Sequence, residues 1–176
     1  MKKAADFLFN TAEQENLRLS DKVQEANKTL LIFSRYLGCP LCQVDILEFC
    51  EQYERFREKN AQILLVLQSS AETIRNQTLV EKIPFTVICD PEAKLYELYD
   101  VKTAKSALKM INPFDLKLWR KAKKMAKNKL KHGAYEGNEQ QLPAMFLLSH
   151  NMDLIFSHHA KSISDLPDTD KILKLL

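Results

Sequence analysis

Apolar residues along the chain follow two patterns, and their alternation predicts the order of strands and helices. Residues 29–36 begin with a short apolar run and residues 61–67 are almost wholly apolar, as in strands buried on both faces of a parallel sheet. Between them, apolar side chains recur every three or four residues, which is typical of a helix that packs one face on a sheet. That helical set is Ile46, Phe49, Cys50, Tyr53 and Phe56.

The rest of the chain continues this alternation. Two hairpins are predicted, one from residues 6–9 and 17–19 and one from residues 144–149 and 153–159. The other predicted elements are helices over about 71–80, from Asp90, over about 104–131 and from Asp168, and a strand over about 84–89. The whole order predicts an α/β sandwich.

Length and composition set further bounds. A chain of 176 residues that is 45% hydrophobic can bury one core, and no linker-like stretch divides it, so a single domain over residues 1–176 is predicted. No secretory signal and no run long enough to cross a bilayer is recognised, and a cytoplasmic location is therefore expected. Structural disulfides are rare in that compartment, so a C-x-x-C there indicates redox chemistry or metal binding.

One C-x-x-C, Cys39 to Cys42, directly follows the first predicted central strand and opens the helical pattern. Unpaired N–H groups at a helix N-terminus stabilise a thiolate, and sites of this kind lower a cysteine pKa from about 8.5 to roughly 3.5–7.5. Pro40 suits the first helical position. Cys42 lies on the same helical face as Cys39, and Arg35 could add positive charge. We therefore predict an attacking and a resolving sulfur.

Five segments of the chain together resemble the thioredoxin-like superfamily, and within it the peroxiredoxin-like branch of the AhpC/TSA family. The segments are Ala5-Asp6-Phe7, Leu19-Ser20-Asp21, Arg35-Tyr36-Leu37-Gly38-Cys39-Pro40-Leu41-Cys42, Asp90-Pro91-Glu92 with Tyr96, and Gln141-Leu142-Pro143-Ala144-Met145-Phe146-Leu147. The resemblance implies a three-layer sandwich, with helices on both faces of a central mixed sheet, an N-terminal hairpin and a basic helical insertion. It also implies thiol chemistry without a metal or an organic cofactor.

The same resemblance implies a cis-proline before the strand that faces the redox cysteines. Leu142-Pro143 is similar to that element, and the backbone of Leu142 would then lie beside Cys39 and pair with an extended disulfide substrate. Ile83-Pro84 is the competing candidate. The expected site therefore comprises the catalytic Cys39 and Cys42, shaped by Arg35, Tyr36, Pro40, Leu142 and Pro143.

The chain departs from the peroxiredoxin pattern at three points. A peroxiredoxin has a proline seven residues and a Thr or Ser three residues before its peroxidatic cysteine. Those positions hold Ile32 and Tyr36 before Cys39, and Arg35 and Cys39 before Cys42. The family also supplies an arginine from a late strand, whereas the last arginine of this chain is Arg120, in the predicted basic helix.

These departures favour thiol–disulfide exchange as the function. The alternative is a thiol-dependent hydroperoxide reductase in which Cys39 is the peroxidatic cysteine. Cys39 is expected to attack a protein disulfide or a peroxide, and Cys42 to resolve the product. A dithiol such as a thioredoxin would reduce the enzyme again.

Other cysteines and histidines have simpler interpretations. A zinc site would need further ligands, and only Cys50 and Cys89 remain among the cysteines, both expected in the core. His158 and His159 could carry protons, but solvated histidines at a hairpin edge are commoner.

The predicted basic helix, residues 117–131, contains eight cations and no acid, and without them the formal net charge of +3 becomes −5. It could attract nucleic acid, an anionic membrane surface or an acidic protein. A redox-switched binding protein that uses this helix is therefore a second alternative. Because no nucleic-acid motif accompanies it, a helix docked on the domain with a solvated cationic face is favoured, and nucleic acid is not expected as a partner.

Overall fold

The structure, a computed structural model, describes residues 2–77, 79–111 and 113–176. Its centre is a five-stranded sheet in the order β5-β4-β3-β6-β7, and a two-stranded antiparallel hairpin, β1-β2, stands apart from it. The strands are β1 (Leu8–Phe9), β2 (Leu17–Arg18), β3 (Lys28–Phe33), β4 (Ala61–Leu67), β5 (Thr86–Cys89), β6 (Ala144–Ser149) and β7 (Leu154–His159).

Seven α-helices are assigned in the described residues. They are α1 (Leu19–Lys22), α2 (Pro40–Glu58), α3 (Ala71–Arg75), α4 (Lys94–Leu98), α5 (Ala107–Met110), α6 (Leu116–Lys127) and α7 (Thr169–Leu173). Short 3₁₀ turns at Val23–Glu25 and Val80–Lys82 complete the regular structure. None of the helices in this described part is long and apolar enough to span a membrane.

The sheet is mixed because β3 is parallel to β4 but antiparallel to β6. Strand β3 is central and almost entirely buried, which explains its continuous apolar run. Alternate residues of β3 therefore face opposite layers. Leu30 and Ile32 pack with Ile46, Phe49 and Phe56 of α2, whereas Leu31 and Phe33 pack with the other layer, which contains Tyr96 of α4 and Phe9 of the hairpin. The predicted three-layer sandwich, including the hairpin, is confirmed.

Several predicted boundaries were wrong. Strand β3 ends at Phe33, and the helix predicted over 71–80 ends at Arg75. The helix predicted to start at Asp90 begins at Lys94, after Ala93 in a left-handed conformation at φ 56°. The Asp90 carboxylate still caps it, accepting from the backbone N–H groups of Lys94 at 3.0 Å and Leu95 at 2.8 Å. The helix predicted over 104–131 is divided into α5 and α6.

Candidate active site: a buried dithiol

Cys39 and Cys42 lie at the N-terminus of α2, immediately beyond the end of β3. Cys39 is the N-cap residue, with extended backbone, and Pro40 is the first residue of the helix. The Cys39 sulfur accepts a hydrogen bond from the backbone N–H of Cys42 at 3.3 Å. Both residues are free cysteines. The first turn of the helix therefore directs one of its unpaired N–H groups at a sulfur atom.

Arg35 brings a positive charge into contact with this pair. Its Nη2 atom donates to the Cys39 sulfur at 2.7 Å, and its Nη1 atom donates to the backbone oxygen of Glu139 at 2.7 Å. The side chain is buried, and its Nε atom has no hydrogen-bond partner among the residues that the structure describes. The fork of donors thus holds the sulfur on one side and a later loop on the other.

The two thiols titrate as a pair. Although burial opposes ionisation, a hydrogen bond from Cys39, the charge of Arg35 and further hydrogen bonds lower the pKa of Cys42 to about 5. The pKa of Cys39 is raised, first by that hydrogen bond to Cys42 and then by burial. Burial also opposes the charge of Arg35, but the two sulfurs outweigh it and raise the pKa of the guanidinium. These opposite directions favour a pair in which one sulfur is ionised while the other keeps its proton.

Residues 131–141, which we call the strap, cover the dithiol. The backbone N–H of Gly133 donates to the Gly38 oxygen at 2.9 Å. A Cβ atom on Gly38 would lie 2.3 Å from the Ala134 oxygen, so only glycine permits this approach. The Tyr36 hydroxyl is hydrogen-bonded to His132 Nε2 at 2.9 Å. As a result Cys39 is 0% and Cys42 only 4% exposed.

Polar side chains hold the strap at its far end. Gln68 accepts from the Asn138 backbone N–H at 2.6 Å and donates to Gln141 Oε1 at 3.1 Å. Glu136 accepts from the Thr73 hydroxyl at 2.7 Å. Sequence reasoning missed all of these contacts. The signal that the sequence offers is the pair of glycines at 133 and 137, which directly follow the helix predicted over 104–131.

Comparison with known proteins identifies the family. A sequence model described as the AhpC/TSA family matches residues 1–156. The chain belongs to the AhpC/TSA family. The predicted family is thereby confirmed, and with it a thiol oxidoreductase or thiol peroxidase activity. A search of curated proteins finds no match.

Solved structures share the fold of this chain at low sequence identity. The 2-Cys peroxiredoxin of Plasmodium vivax is 16% identical with a TM-score of 0.67, and the match covers 99% of this chain and 91% of that one. Peroxidoxin BcpB of Mycobacterium tuberculosis is 12% identical with a TM-score of 0.65, covering 99% and 93%. A putative thiol:disulfide interchange protein DsbE of Chlorobium tepidum is 18% identical with a TM-score of 0.60, covering 99% and 95%.

The predicted cis-proline is wrong for this AhpC/TSA protein. No described peptide bond is cis, so both Leu142-Pro143 and the competing Ile83-Pro84 are trans. Leu142 is nevertheless buried in a cluster that Leu41, between the two cysteines, packs against. Its backbone N–H donates to Lys102 at 3.1 Å, and the Pro143 oxygen accepts from Ala160 at 3.1 Å. Both backbone groups are therefore engaged within the fold, and the role of Leu142 and Pro143 in binding a substrate stays a prediction.

The remaining cysteines and histidines have other partners. Cys50 and Cys89 are half-buried beside the core cluster under α2, and burial raises the pKa of each to about 11. His158 Nε2 contacts the Asp165 oxygen at 2.6 Å, and His159 packs against the Phe146 ring. Across the described ranges, no three His, Cys, Asp or Glu side chains are grouped as metal ligands would be.

The basic helix is α6, and it docks on α2 through ion pairs. Lys121 is buried and lies 2.7 Å from the Asp45 carboxylate, and Lys124 pairs with Glu48. Burial raises the pKa of Asp45 to about 6, and the Lys121 charge limits that rise. Asp45 follows Cys42 by one helical turn, so α6 is anchored beside the dithiol.

Proposed function

We propose that this AhpC/TSA protein is a dithiol–disulfide oxidoreductase whose reaction centre is Cys39 and Cys42. The observation that carries the proposal is the Arg35 guanidinium, which lies 2.7 Å from the sulfur of the buried Cys39. A buried thiolate needs a charged or hydrogen-bonding partner, and this site supplies both. Disulfide exchange requires nothing more than that thiolate and a second sulfur.

The proposed reaction begins with proton transfer from Cys39 to the Cys42 thiolate. The negative charge then rests on Cys39, towards which Arg35 Nη2 and the backbone N–H of Cys42 already point. The Cys39 thiolate attacks a substrate disulfide, forming a mixed disulfide and releasing one substrate thiolate, which takes a proton from solvent. Cys42 gives up its proton and attacks the mixed disulfide at the Cys39 sulfur, which breaks the bond between Cys39 and the substrate, and the released substrate thiolate takes that proton. The products are the reduced substrate and a Cys39–Cys42 disulfide, which an external dithiol, such as a thioredoxin, reduces again.

Hydroperoxide reduction is the second candidate, and one observation favours it. Arg35 Nε is a buried donor without a partner among the described residues, next to the sulfur that would attack a peroxide oxygen. An arginine at this position could take the place of the late-strand arginine that the chain lacks. The Cys39 thiolate would attack one peroxide oxygen and break the O–O bond, forming a sulfenic acid, and the leaving oxygen would take a proton from solvent to become an alcohol or water. Cys42 would then attack the sulfenic sulfur, forming the disulfide and releasing water.

Access to the dithiol is part of the proposal. Because both sulfurs are buried beneath the strap, a protein disulfide can reach Cys39 only after Gly133 and Ala134 leave Gly38. We infer that the strap is displaced when substrate binds. Because the backbone of Leu142 is already hydrogen-bonded within the fold, we infer that the substrate chain docks on the edge near Gly38 that the displaced strap uncovers.

Stopped-flow measurement of disulfide and of hydroperoxide consumption, with the same reducing dithiol, tests the proposal. Cys39→Ser is expected to abolish both reactions, and Cys42→Ser to trap a mixed disulfide at Cys39. Cys50→Ser is the matched control and is expected to react as the native chain does. Peroxide consumption at least tenfold faster than disulfide consumption would replace the first candidate by the second. Full turnover of Cys39→Ser would contradict both.

A further inference from the structure

The solvent side of α6 and the residue just before the helix present large apolar side chains next to cations. Leu116 is 72% and Trp119 is 64% exposed, and Phe114, just before the helix, is 90% exposed. Isolated apolar residues on a surface are ordinary, whereas a group of them rimmed by charge marks an interaction site. These three residues lie together at the N-terminal end of one helix.

Contacts within the fold fix which side of α6 faces solvent. Lys121 is buried against Asp45, and Leu118 packs on the cluster around Leu142. The Asp115 carboxylate caps the helix by accepting from the Lys117 backbone N–H at 2.8 Å. With this side held inward, the helical repeat places Leu116, Trp119 and Lys123 on the outward side, with Arg120 and Lys127 at its edge. We call these five residues the outer face of α6. Arg120 also lines the cavity that contains Asp45 and Glu48.

The cations of α6 fall into two sets. Those of the inner side are neutralised, since Lys117, Lys121 and Lys124 pair with Asp168, Asp45 and Glu48. Arg120, Lys123 and Lys127, on the outer face, form no ion pair with any residue in the described part of the chain, and all three are exposed. No acidic residue occurs between Asp115 and Glu136. All charged residues of the outer face are therefore cations, and Leu116 and Trp119, with Phe114 before them, form an apolar tip at one end.

We propose that the outer face of α6, with Phe114, binds the surface of an anionic lipid bilayer. A basic helix with aromatic and aliphatic side chains on the same exposed side can lie in the interface, with its apolar groups among the acyl chains and its cations at the headgroups. Trp119 suits that boundary because its indole N–H is already satisfied by the Pro113 oxygen at 2.8 Å while its ring remains exposed.

Two other anionic partners fit less well. A nucleic acid offers phosphates to Arg120, Lys123 and Lys127, but its backbone gives Leu116 no apolar environment, and an aliphatic side chain is no stacking platform for bases. An acidic protein segment would satisfy the cations, but it would cover the tip only if it also carried matching apolar side chains. An anionic bilayer supplies an apolar layer and negative headgroups side by side, so it accommodates the tip and the cations together.

Vesicle binding tests the proposal, using the full chain and the fluorescence of Trp119, which is the sole tryptophan. We expect the protein to sediment with phosphatidylcholine vesicles containing about one third phosphatidylserine, but not with phosphatidylcholine alone. The Trp119 emission should shift to shorter wavelength on binding, and high salt should weaken the binding because surface charges are screened.

Two sets of substitutions divide the surface into its parts. Replacing Arg120, Lys123 and Lys127 by Gln should weaken binding roughly a hundredfold, since each cation near an anionic surface contributes about fivefold. Phe114→Ser with Leu116→Ser should reduce the wavelength shift as well as the affinity. The matched control removes three exposed cations elsewhere, Lys59→Gln, Lys82→Gln and Lys161→Gln, and should bind as the native chain does.

Three results would overturn the proposal. One is the same weak sedimentation with both kinds of vesicle. Another is equal loss of binding in the control triple variant, which would mean that only net charge matters. The third is tighter binding to a DNA duplex or to polyglutamate than to the anionic vesicles. None of these measurements uses the thiols, so the outcome is independent of the proposed redox function.

Discussion

The four cysteines form two pairs that differ in environment more than in burial. Cys39 and Cys42 lie at a helix N-terminus in contact with Arg35, and the pKa of Cys42 is lowered to about 5. Cys50 and Cys89 are the more exposed pair, yet burial raises the pKa of each to about 11. Removal from water alone therefore makes a thiol inert, and the same removal beside a guanidinium and an ionisable partner sulfur makes it acidic.

The largest expected difference between the two pairs is in the pH dependence of alkylation. A thiol reacts as its thiolate, which is present above its pKa, so modification of the dithiol should rise through pH 5 and level off by pH 7. Cys50 should be ionised in only about one molecule in ten thousand at pH 7 and should react only as the pH approaches 11. Mass spectrometry after timed iodoacetamide exposure, from pH 4 to 10, measures both. A common midpoint for all four cysteines would contradict the comparison.

Arg35→Met removes the charge that distinguishes the pairs. Because an opposite charge within a few ångströms shifts a pKa by about one to three units, a rise of about two units from the present value of about 5 should slow alkylation of the dithiol at pH 6 about tenfold. The midpoint of the pH profile should move upwards. Arg35→Lys is the matched control. Its alkylation rate and midpoint should lie between those of the native chain and of Arg35→Met, since lysine keeps the charge without the fork of donors. An unchanged midpoint in Arg35→Met would show that the helix terminus alone sets the acidity.

Gly38→Ala tests the cover over the reactive pair. The new Cβ would meet the Ala134 oxygen at 2.3 Å, so the strap must move. We expect the free energy of unfolding in urea to fall by about 1–3 kcal/mol. Alkylation of the dithiol at pH 7 should become several-fold faster, while the rate at Cys50 stays the same.

Tyr36→Phe is the milder companion variant. It loses only the hydrogen bond to His132, so the free energy of unfolding should fall by about 1 kcal/mol. The gain in alkylation rate should be smaller than that of Gly38→Ala. Slower alkylation in both variants would mean that the strap assists the dithiol and does not shield it.

The smallest effect is expected from the second pair of cysteines. The double variant Cys50→Ser and Cys89→Ser should keep turnover within about twofold of the native chain and lose about 1–2 kcal/mol of stability, because it places hydroxyls among apolar side chains. Turnover and urea unfolding are the two measurements. Turnover as low as that of Cys39→Ser would show that a third sulfur takes part.

The sequence-based prediction was most successful where neighbouring residues act together. The apolar runs of β3 and β4, the period of α2 and the Cys39-Pro40 helix start are local patterns, and all of them appear in the structure. Predicted boundaries were wrong where the conformation of a single residue decides them. Ala93, for example, adopts a left-handed conformation and delays the start of α4 to Lys94. The single domain and the cytoplasmic location stay predictions.

The sequence by itself determined the alternation of strands and helices and the placement of two sulfurs at a helix terminus, because periodicity and helix-end chemistry depend on contiguous residues. The family followed from the resemblance of five segments to known proteins. Only the tertiary structure decided that Arg35 points at Cys39 and also reaches Glu139, which is 104 residues away in sequence. It likewise decided that residues 131–141 cover the dithiol and that Leu142-Pro143 is trans. Contacts between distant segments depend on how the whole chain packs, and no local pattern encodes them.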